Sequence, residues 1–221
     1  MAEYNDVRVV GFDLDQTLYP KSPIIDEAIQ AYIYQKIAEH LNCGLEAAGK
    51  CFDDLYQNGR GLSGSKTLAA IGVPNSNDIV QEALEFADIA QFLLPDPKTT
   101  EILQWVNNRY DSTDLITGSN RANLEIKLGS IGIPEGMFGH IISADDASKS
   151  TGEAYELWMS CYLEMGPPNF MYVGDRVESD YQAPKQLGIR AILVNVERPD
   201  FGLDCPQLPD LWSLKRYLES T

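Results

Sequence analysis

Histidine is all but missing from this chain. His40 and His140 are the only two among 221 residues, too few and too widely separated for a histidine-based metal centre or a Ser/His/Asp triad. Cysteine offers no alternative. Cys43, Cys51, Cys161 and Cys205 are scattered without a CxxC pair, which argues against a zinc site and against a disulfide framework, so they read as reduced, partly buried apolar residues. No run of eighteen apolar residues occurs, so no membrane span is expected. The acidic N-terminus MAEYNDVR leads straight into a strand-like segment, unlike a signal peptide, and a cytoplasmic location is the expectation. Basic residues are also scarce: seventeen Lys and Arg against thirty-three Asp and Glu leave a formal charge of −16. That charge repels nucleic-acid polymers and acidic membrane surfaces at long range. A small phosphorylated metabolite escapes the exclusion, because a metal ion and a few donors can invert the field inside one cleft. Chemistry is left to carboxylates.

What is present is ordinary globular composition, 44% hydrophobic and 23% charged, in an alternating order. Five short apolar runs suit strands buried on both faces: VRVVGFD (7–13), DLITG (114–118), HIISA (140–144), FMYVGD (170–175) and RAILVNV (190–196). Helix-like segments separate them, so the expected fold is α/β, a Rossmann-like parallel sheet with helices on both faces. About a hundred residues lie between the first two strands, far more than a crossover needs, so an inserted helical domain is expected at 20–93. The core is then 1–19 and 94–221. Within the insertion Ile25, Ile29, Ile33, Ile37 and Leu41 recur every four residues along one slowly drifting helical stripe. A second helix is expected over 45–56, others from Lys66 and Ser76, and LLPDPKTT (93–100) reads as a linker into a new helix.

Four signals fall at strand ends. In GFDLDQTLYP, Asp13 and Asp15 stand two apart as the first strand ends, where open α/β sheets bind ligands. MYVGDRVESD supplies Asp175 and Asp180 after another strand. If these four share a cleft, each close pair repels by about 4 kcal/mol at 4 Å and an effective dielectric near 20. A hard divalent cation such as Mg²⁺ relieves that repulsion. LITGSN offers the Thr117 hydroxyl and the Gly118 amide before a helix, an anion-binding arrangement. Lys149 follows the third core strand. Each signal alone has a plain structural reading: an acidic turn, solvated strand ends, an N-cap, a surface lysine.

Their order joins them. DxDxT, a hydroxyl, a lysine and GDxxxxD at successive strand ends resemble the haloacid dehalogenase-like superfamily of phosphohydrolases across essentially the whole chain. The matching positions are Asp13, Asp15 and Thr17, then Thr117, then Lys149, then Asp175 and Asp180. Ser150 stands where many members have proline, and Tyr155 is the aromatic residue expected six positions after the lysine. The insertion occupies the place of that superfamily's C1 helical cap (subfamily I). LYQNGRGLSG and FDLDQTLYP resemble the pyrimidine 5'-nucleotidase-like branch, although Asn58 stands where that branch often has tyrosine and Tyr56 lies two residues earlier.

The resemblance implies a Mg²⁺-dependent phosphatase with Asp13 as nucleophile, forming an aspartyl-phosphate, and Asp15 as acid and then base. It implies that Thr117, Gly118 and Lys149 bind the phosphoryl oxygens. It places the metal among Asp13, Asp15 (through its carbonyl) and Asp175, with Asp180 orienting waters or Lys149. The cap implies a lid, in which Tyr56 and Arg60 are candidates for contacting a nucleoside. The superfamily's dehalogenases typically lack the second acid and need no metal, which disfavours that activity. A receiver domain carries its phosphorylated Asp after the third strand, where this chain has Lys149. Sugar-phosphate phosphatase, phosphomutase and a non-catalytic nucleotide-binding module stay open as alternatives, and the oligomeric state is not readable.

Overall fold

The computed structural model describes residues 4–20, 22–57, 62–87, 89–196, 199–200 and 202–221. They form two compact units, Met1–Pro20 with Leu93–Thr221, and Lys21–Phe92. Among the described residues no helix is long and apolar enough to cross a membrane.

The first unit is built on five parallel strands, β1 (Val9–Phe12), β2 (Ser112–Ile116), β3 (Ile141–Ile142), β4 (Phe170–Gly174) and β5 (Arg190–Leu193), in the order β3-β2-β1-β4-β5. All five overlap the apolar runs of the sequence: β2 starts and ends two residues earlier than its run, and the other four are shorter than theirs. The chain steps outward from β1 to β2 and β3, then returns to β4 on the other side of β1. With right-handed crossovers, that reversal places helices on both faces. Phe12 pairs with Leu115 on one side and with Val173 on the other. The three central strands therefore end level, and Asp13, Thr117 and Asp175 emerge at one edge.

Side chains alternate between two covered faces, so the central strands are buried almost throughout. On one face Val9, Ile116, Phe170 and Tyr172 pack against Ala154, Tyr155 and Trp158 of α7 (Glu153–Ser160) and Ala183 of α8 (Ala183–Gln186). The other face is covered by buried residues of α5 (Pro97–Arg109) and α6 (Arg121–Ile131), among them Leu103, Val106, Leu124 and Leu128. α5 opens as the linker sequence suggests, with Pro97 in its first turn and the Asp96 carboxylate accepting the Lys98 amide at 3.0 Å. Asp114, expected only as a strand residue, is fully buried in mid-sheet. Its carboxylate accepts hydrogen bonds from Ser112 Oγ, the His140 amide, Trp158 Nε1 and Tyr162 OH at 2.6–2.9 Å. Buried charge persists only when so satisfied, and here it ties β2 to β3 and to the α7 end.

The second unit contains α1 (Pro23–Leu41), α2 (Leu45–Tyr56), α3 (Gly64–Ile71) and α4 (Ser76–Phe86). Ile33, Ile37, Ala48, Phe52, Leu68, Val73 and Ala83 form its core. Of the expected stripe Ile25, Ile33 and Ile37 are buried but Leu41 is 41% exposed. A four-residue spacing drifts off a face with 3.6 residues per turn, and by the fifth member it has left the core. The cysteines are free, as expected, but Cys51 and Cys161 are exposed and not partly buried: Cys51 sits on the outward side of α2 and Cys161 follows the last residue of α7.

Gly11 shows how closely α7 approaches the sheet. A Cβ there would lie 2.7 Å from both Ile116 Cδ1 and Trp158 Cη2, inside van der Waals contact. Gly11→Ala is expected to destabilise the protein by about 1–3 kcal/mol through overpacking against a rigid indole, measured as a lower denaturant midpoint. An unchanged midpoint would show that the Trp158 contact yields without cost.

Candidate active site

At the level ends of β1 and β4 the structure gathers Asp13, Asp175 and Asp180, with one oxygen of each carboxylate within 4.8 Å of the others. Asp13 is the residue after β1, and its amide is held by Val173 O at 2.9 Å. Asp180 reaches back from a wide-turned π helix, Val177–Gln182, that follows β4. Such wide turns are uncommon and recur at functional sites. The return is possible because residue 174 is glycine: a Cβ there would lie 2.5 Å from Asp180 Cβ and Cγ.

Lys149 enters this acidic group from the loop after β3. Its Nζ lies 2.5 Å from Asp13 Oδ1 and 2.8 Å from Asp180 Oδ1, and all three side chains are under a tenth exposed. Asp180 is fully engaged. Its Oδ2 accepts the amides of Asp175 and Arg176, each at 2.9 Å, and Ser179 Oγ joins Lys149 on Oδ1 at 2.7 Å. Asp180 therefore anchors Lys149 and the β4 loop, while Asp13 and Asp175 are the better placed to face a cation. Three carboxylates around one ammonium leave an excess of negative charge in a largely closed space, which a divalent cation with oxygen ligands fits.

Burial pushes the Asp13 carboxyl up to about 8, with Asp180, Asp175 and Asp15 adding to the rise and Lys149 opposing it. Burial alone would lower the Lys149 ammonium, but Asp13 and Asp180 overcome it and hold Lys149 above the ordinary lysine range. Asp180 is held below the ordinary carboxylate range, because Lys149 and its hydrogen bonds outweigh its burial. The two ends of the Asp13–Lys149 pair thus favour opposite states of Asp13. The direction for Asp13 follows from its crowding: one lysine shared with Asp180 does not offset dehydration and three further carboxylates.

Asp15 departs from the expectation that all four aspartates meet. Its carboxylate lies outside the group around Asp13, so any metal contact from this residue is left to its carbonyl. Lys127 Nζ contacts Asp15 Oδ1 at 2.5 Å, Ser119 Oγ donates to Oδ2 at 2.6 Å, and Tyr19 OH donates to Oδ1. Burial pushes the Asp15 carboxyl up, but Lys127 and these hydrogen bonds outweigh it and bring it down to about 2. The physical reason for the separation is that a carboxylate goes to the nearest buried ammonium, and each lysine has captured its own.

Among the remaining candidates, Thr17 is tied directly to Asp13. Thr17 is buried, with Oγ1 3.4 Å from Asp13 Oδ2. Thr117 is buried at the end of β2 and its hydroxyl accepts the Ser119 amide at 3.0 Å. Gly118 is exposed, with open space where a Cβ would be. Asn120 caps α6 by accepting the Asn123 amide at 2.9 Å. Tyr155 OH donates to Ser179 O at 2.6 Å, bracing the loop that carries Asp180. In the second unit Tyr56 packs on Phe52, ring centroids 4.9 Å apart, which gives it a core contact. Arg60 and Asn58 lie outside the described residues. Sequence reading missed Lys127, Ser119 and Tyr19 as partners of Asp15. Lys127 had a signal, since it interrupts the apolar stripe Leu124, Leu128, Ile131 of α6.

The sequence matches the haloacid dehalogenase-like hydrolase family over residues 7–188. No curated protein matches the chain. Among solved structures it is similar to a haloacid dehalogenase-type phosphatase from Thermococcus onnurineus, at 20% identity, covering 96% of this chain and 98% of that one, with a TM-score of 0.62. It is similar to a candidate β-phosphoglucomutase from Thermotoga maritima at 19% identity, 97% and 100% coverage and a TM-score of 0.65. It is also similar to an L-2-haloacid dehalogenase from Xanthobacter autotrophicus at 15% identity, 97% and 99% coverage and a TM-score of 0.58. At these identities the likeness concerns the fold, on which three differently named activities occur.

The raised Asp13 carboxyl yields a linked prediction. Between an unfolded value of about 4 and its folded value of about 8, native Asp13 holds a proton that the unfolded chain lacks. Its contribution to metal-free stability therefore falls as pH rises across that window. A cation competes with the proton, so Mg²⁺ is expected to raise Tm more at about pH 8.5 than at about pH 5.5, measured by scanning fluorimetry. A Mg²⁺ effect absent at both pH values would remove the cation from this site.

Proposed function

The chain belongs to the haloacid dehalogenase-like hydrolases, and within that family we propose that it is a Mg²⁺-dependent phosphomonoesterase working through an aspartyl-phosphate on Asp13. The observation that carries this reading is the unequal pair at the end of β1. Asp13 is buried among carboxylates beside Lys149, and Asp15, two residues on, is held apart by a second lysine. In this reading one carboxylate attacks and the other protonates the leaving oxygen, a step that a departing halide does not need.

In this mechanism an Asp13 oxygen attacks phosphorus and the ester oxygen leaves, taking a proton from Asp15. Water then attacks the acyl phosphate and gives its proton to Asp15, releasing inorganic phosphate and restoring Asp13. At rest Asp15 is a carboxylate, the form required of the base. An arriving phosphate dianion raises its proton affinity by like-charge repulsion and so prepares it as the acid. Lys149, the Thr117 hydroxyl and the Gly118 amide bind the non-bridging oxygens. A cation held by Asp13, Asp175 and the Asp15 carbonyl, with Asp180 behind them, would shield the attacking carboxylate from its anionic target.

The substrate class in this proposal is a small phosphorylated metabolite. A nucleoside monophosphate is favoured by the resemblance of FDLDQTLYP and LYQNGRGLSG to the pyrimidine 5'-nucleotidase-like branch, with residues 20–93 as a C1 cap that selects the leaving group. The charge of −16 fits a cytoplasmic enzyme of small molecules and opposes nucleic-acid and membrane partners.

Phosphate release from a panel of nucleoside monophosphates and sugar phosphates tests the reading. Turnover is expected only with Mg²⁺ and is expected to be abolished by EDTA, and full activity in metal-free protein would refute the cation's role. Asp13→Asn is expected to eliminate activity with the fold intact, whereas Asp15→Asn lowers kcat by about 10²–10⁴. Near-normal turnover in Asp13→Asn would end the covalent mechanism.

A further inference from the structure

Lys127 has no part in the motifs that define the site, yet it is the least exposed lysine contact in it. It projects from the apolar stripe of α6, between Leu124 and Leu128, and its side chain is 3% exposed while that of Asp15 is 34% exposed. The ammonium meets Asp15 Oδ1 at 2.5 Å and Ser119 Oγ at 2.8 Å, and Ser119 Oγ in turn meets Asp15 Oδ2 at 2.6 Å. These three groups close a triangle in which both carboxylate oxygens are fixed from the protein side.

We infer that Lys127 is the positioning residue for Asp15, anchoring its carboxylate at the open edge of the cleft and keeping it out of the acidic group around Asp13. The inference rests on the phosphomonoesterase reading. Two features distinguish this arrangement from a buried ion pair that only supports the fold. The first is its asymmetry: the lysine is sealed while a third of the Asp15 side chain stays exposed, so the pair leaves its acid accessible. The second is its alternative. Asp15 is two residues from Asp13 in a chain leaving β1, and an unanchored carboxylate would be free to turn toward the cation site formed by Asp13, Asp175 and Asp180. As a metal ligand it would no longer reach the leaving oxygen. Lys127 and Ser119 divide the carboxylates between two tasks.

The distinguishing property of proton donation is its dependence on the leaving group. An alkoxide must be protonated as it departs, whereas 4-nitrophenolate leaves readily without help. The test compares kcat and KM for the best-hydrolysed nucleoside monophosphate or sugar phosphate with those for 4-nitrophenyl phosphate, in wild type, Lys127→Met, Lys127→Arg and Ser119→Ala, with folding checked by circular dichroism. Lys127→Met is expected to lower kcat on the alkyl ester by about 10²-fold, the lower end of what proton transfer contributes. The loss on the aryl ester should be at least about tenfold smaller, with KM little changed on either. Lys127→Arg should recover most of the alkyl rate, and Ser119→Ala should show the same imbalance in weaker form. If Lys127→Met does not fold, the imbalance in Ser119→Ala decides the matter. Equal losses on both esters, or none on either, overturn the inference while wild-type turnover leaves the phosphatase reading standing. A wild type that releases phosphate from neither ester overturns the reading, and the inference with it.

Discussion

The ammonium of Lys149, shared between Asp13 and Asp180, is the interaction around which this edge of the sheet is arranged. Charges this poorly exposed are stable only as a network, and each part of the surroundings serves it. The level ends of β1, β2 and β4 bring Asp13 and the β4 loop together. Gly174 leaves the space into which the Asp180 side chain folds back, and the widened turn of Val177–Gln182 returns that side chain to the strand end. Amides 175 and 176 and the Ser179 hydroxyl complete its hydrogen bonding. Tyr155 braces the same loop from α7. Remove the lysine and two carboxylates are left facing each other away from water, which no repacking of apolar neighbours relieves.

A second lysine makes the first two aspartates chemically different. Asp13 is raised by burial and by its acidic neighbours, and Asp15 is lowered by Lys127 despite its own burial. Two carboxyl groups separated by one residue are thereby held by different lysines, in surroundings that shift them in opposite directions. The division is a property of α6 and of the loop after β3 as much as of the segment after β1 that carries both acids.

The strands and the helices of the insertion were legible because both are carried by local periodicity. Five apolar runs of five to seven residues read as buried strands in a chain with helical segments between them. Thr117, Lys149, Asp175 and Asp180 were readable as strand-end positions because each closes or follows such a run, and parallel strands bring their ends to one edge. The failures have equally specific causes. Leu41 continues a four-residue rhythm that the helix does not keep, so it faces solvent. Cys51 and Cys161 are apolar in type but were assigned without knowing that one lies on the outward side of α2 and the other just past the end of α7. Asp15 was grouped with the other acids because alternation aims it at the same cleft, and alternation says nothing of the ammonium that draws it aside. Asp114 looked like one more strand residue because its four donors come from β2, β3 and the α7 region.

By itself the sequence determined the α/β alternation, the long insertion after the first strand, and the order of acids, hydroxyl and lysine along the chain. These are one-dimensional properties, set by residue type and spacing, and they suffice to identify strand ends as the place for chemistry. Tertiary structure alone decided which charges pair. Asp13 lies 136 residues from Lys149 and Asp15 lies 112 from Lys127, and nothing in the spacing of either pair favours that choice over its exchange. The choice is made by packing, because α6 buries Lys127 beneath one carboxylate and the loop after β3 delivers Lys149 beneath the other. A buried ammonium takes the acid it can reach.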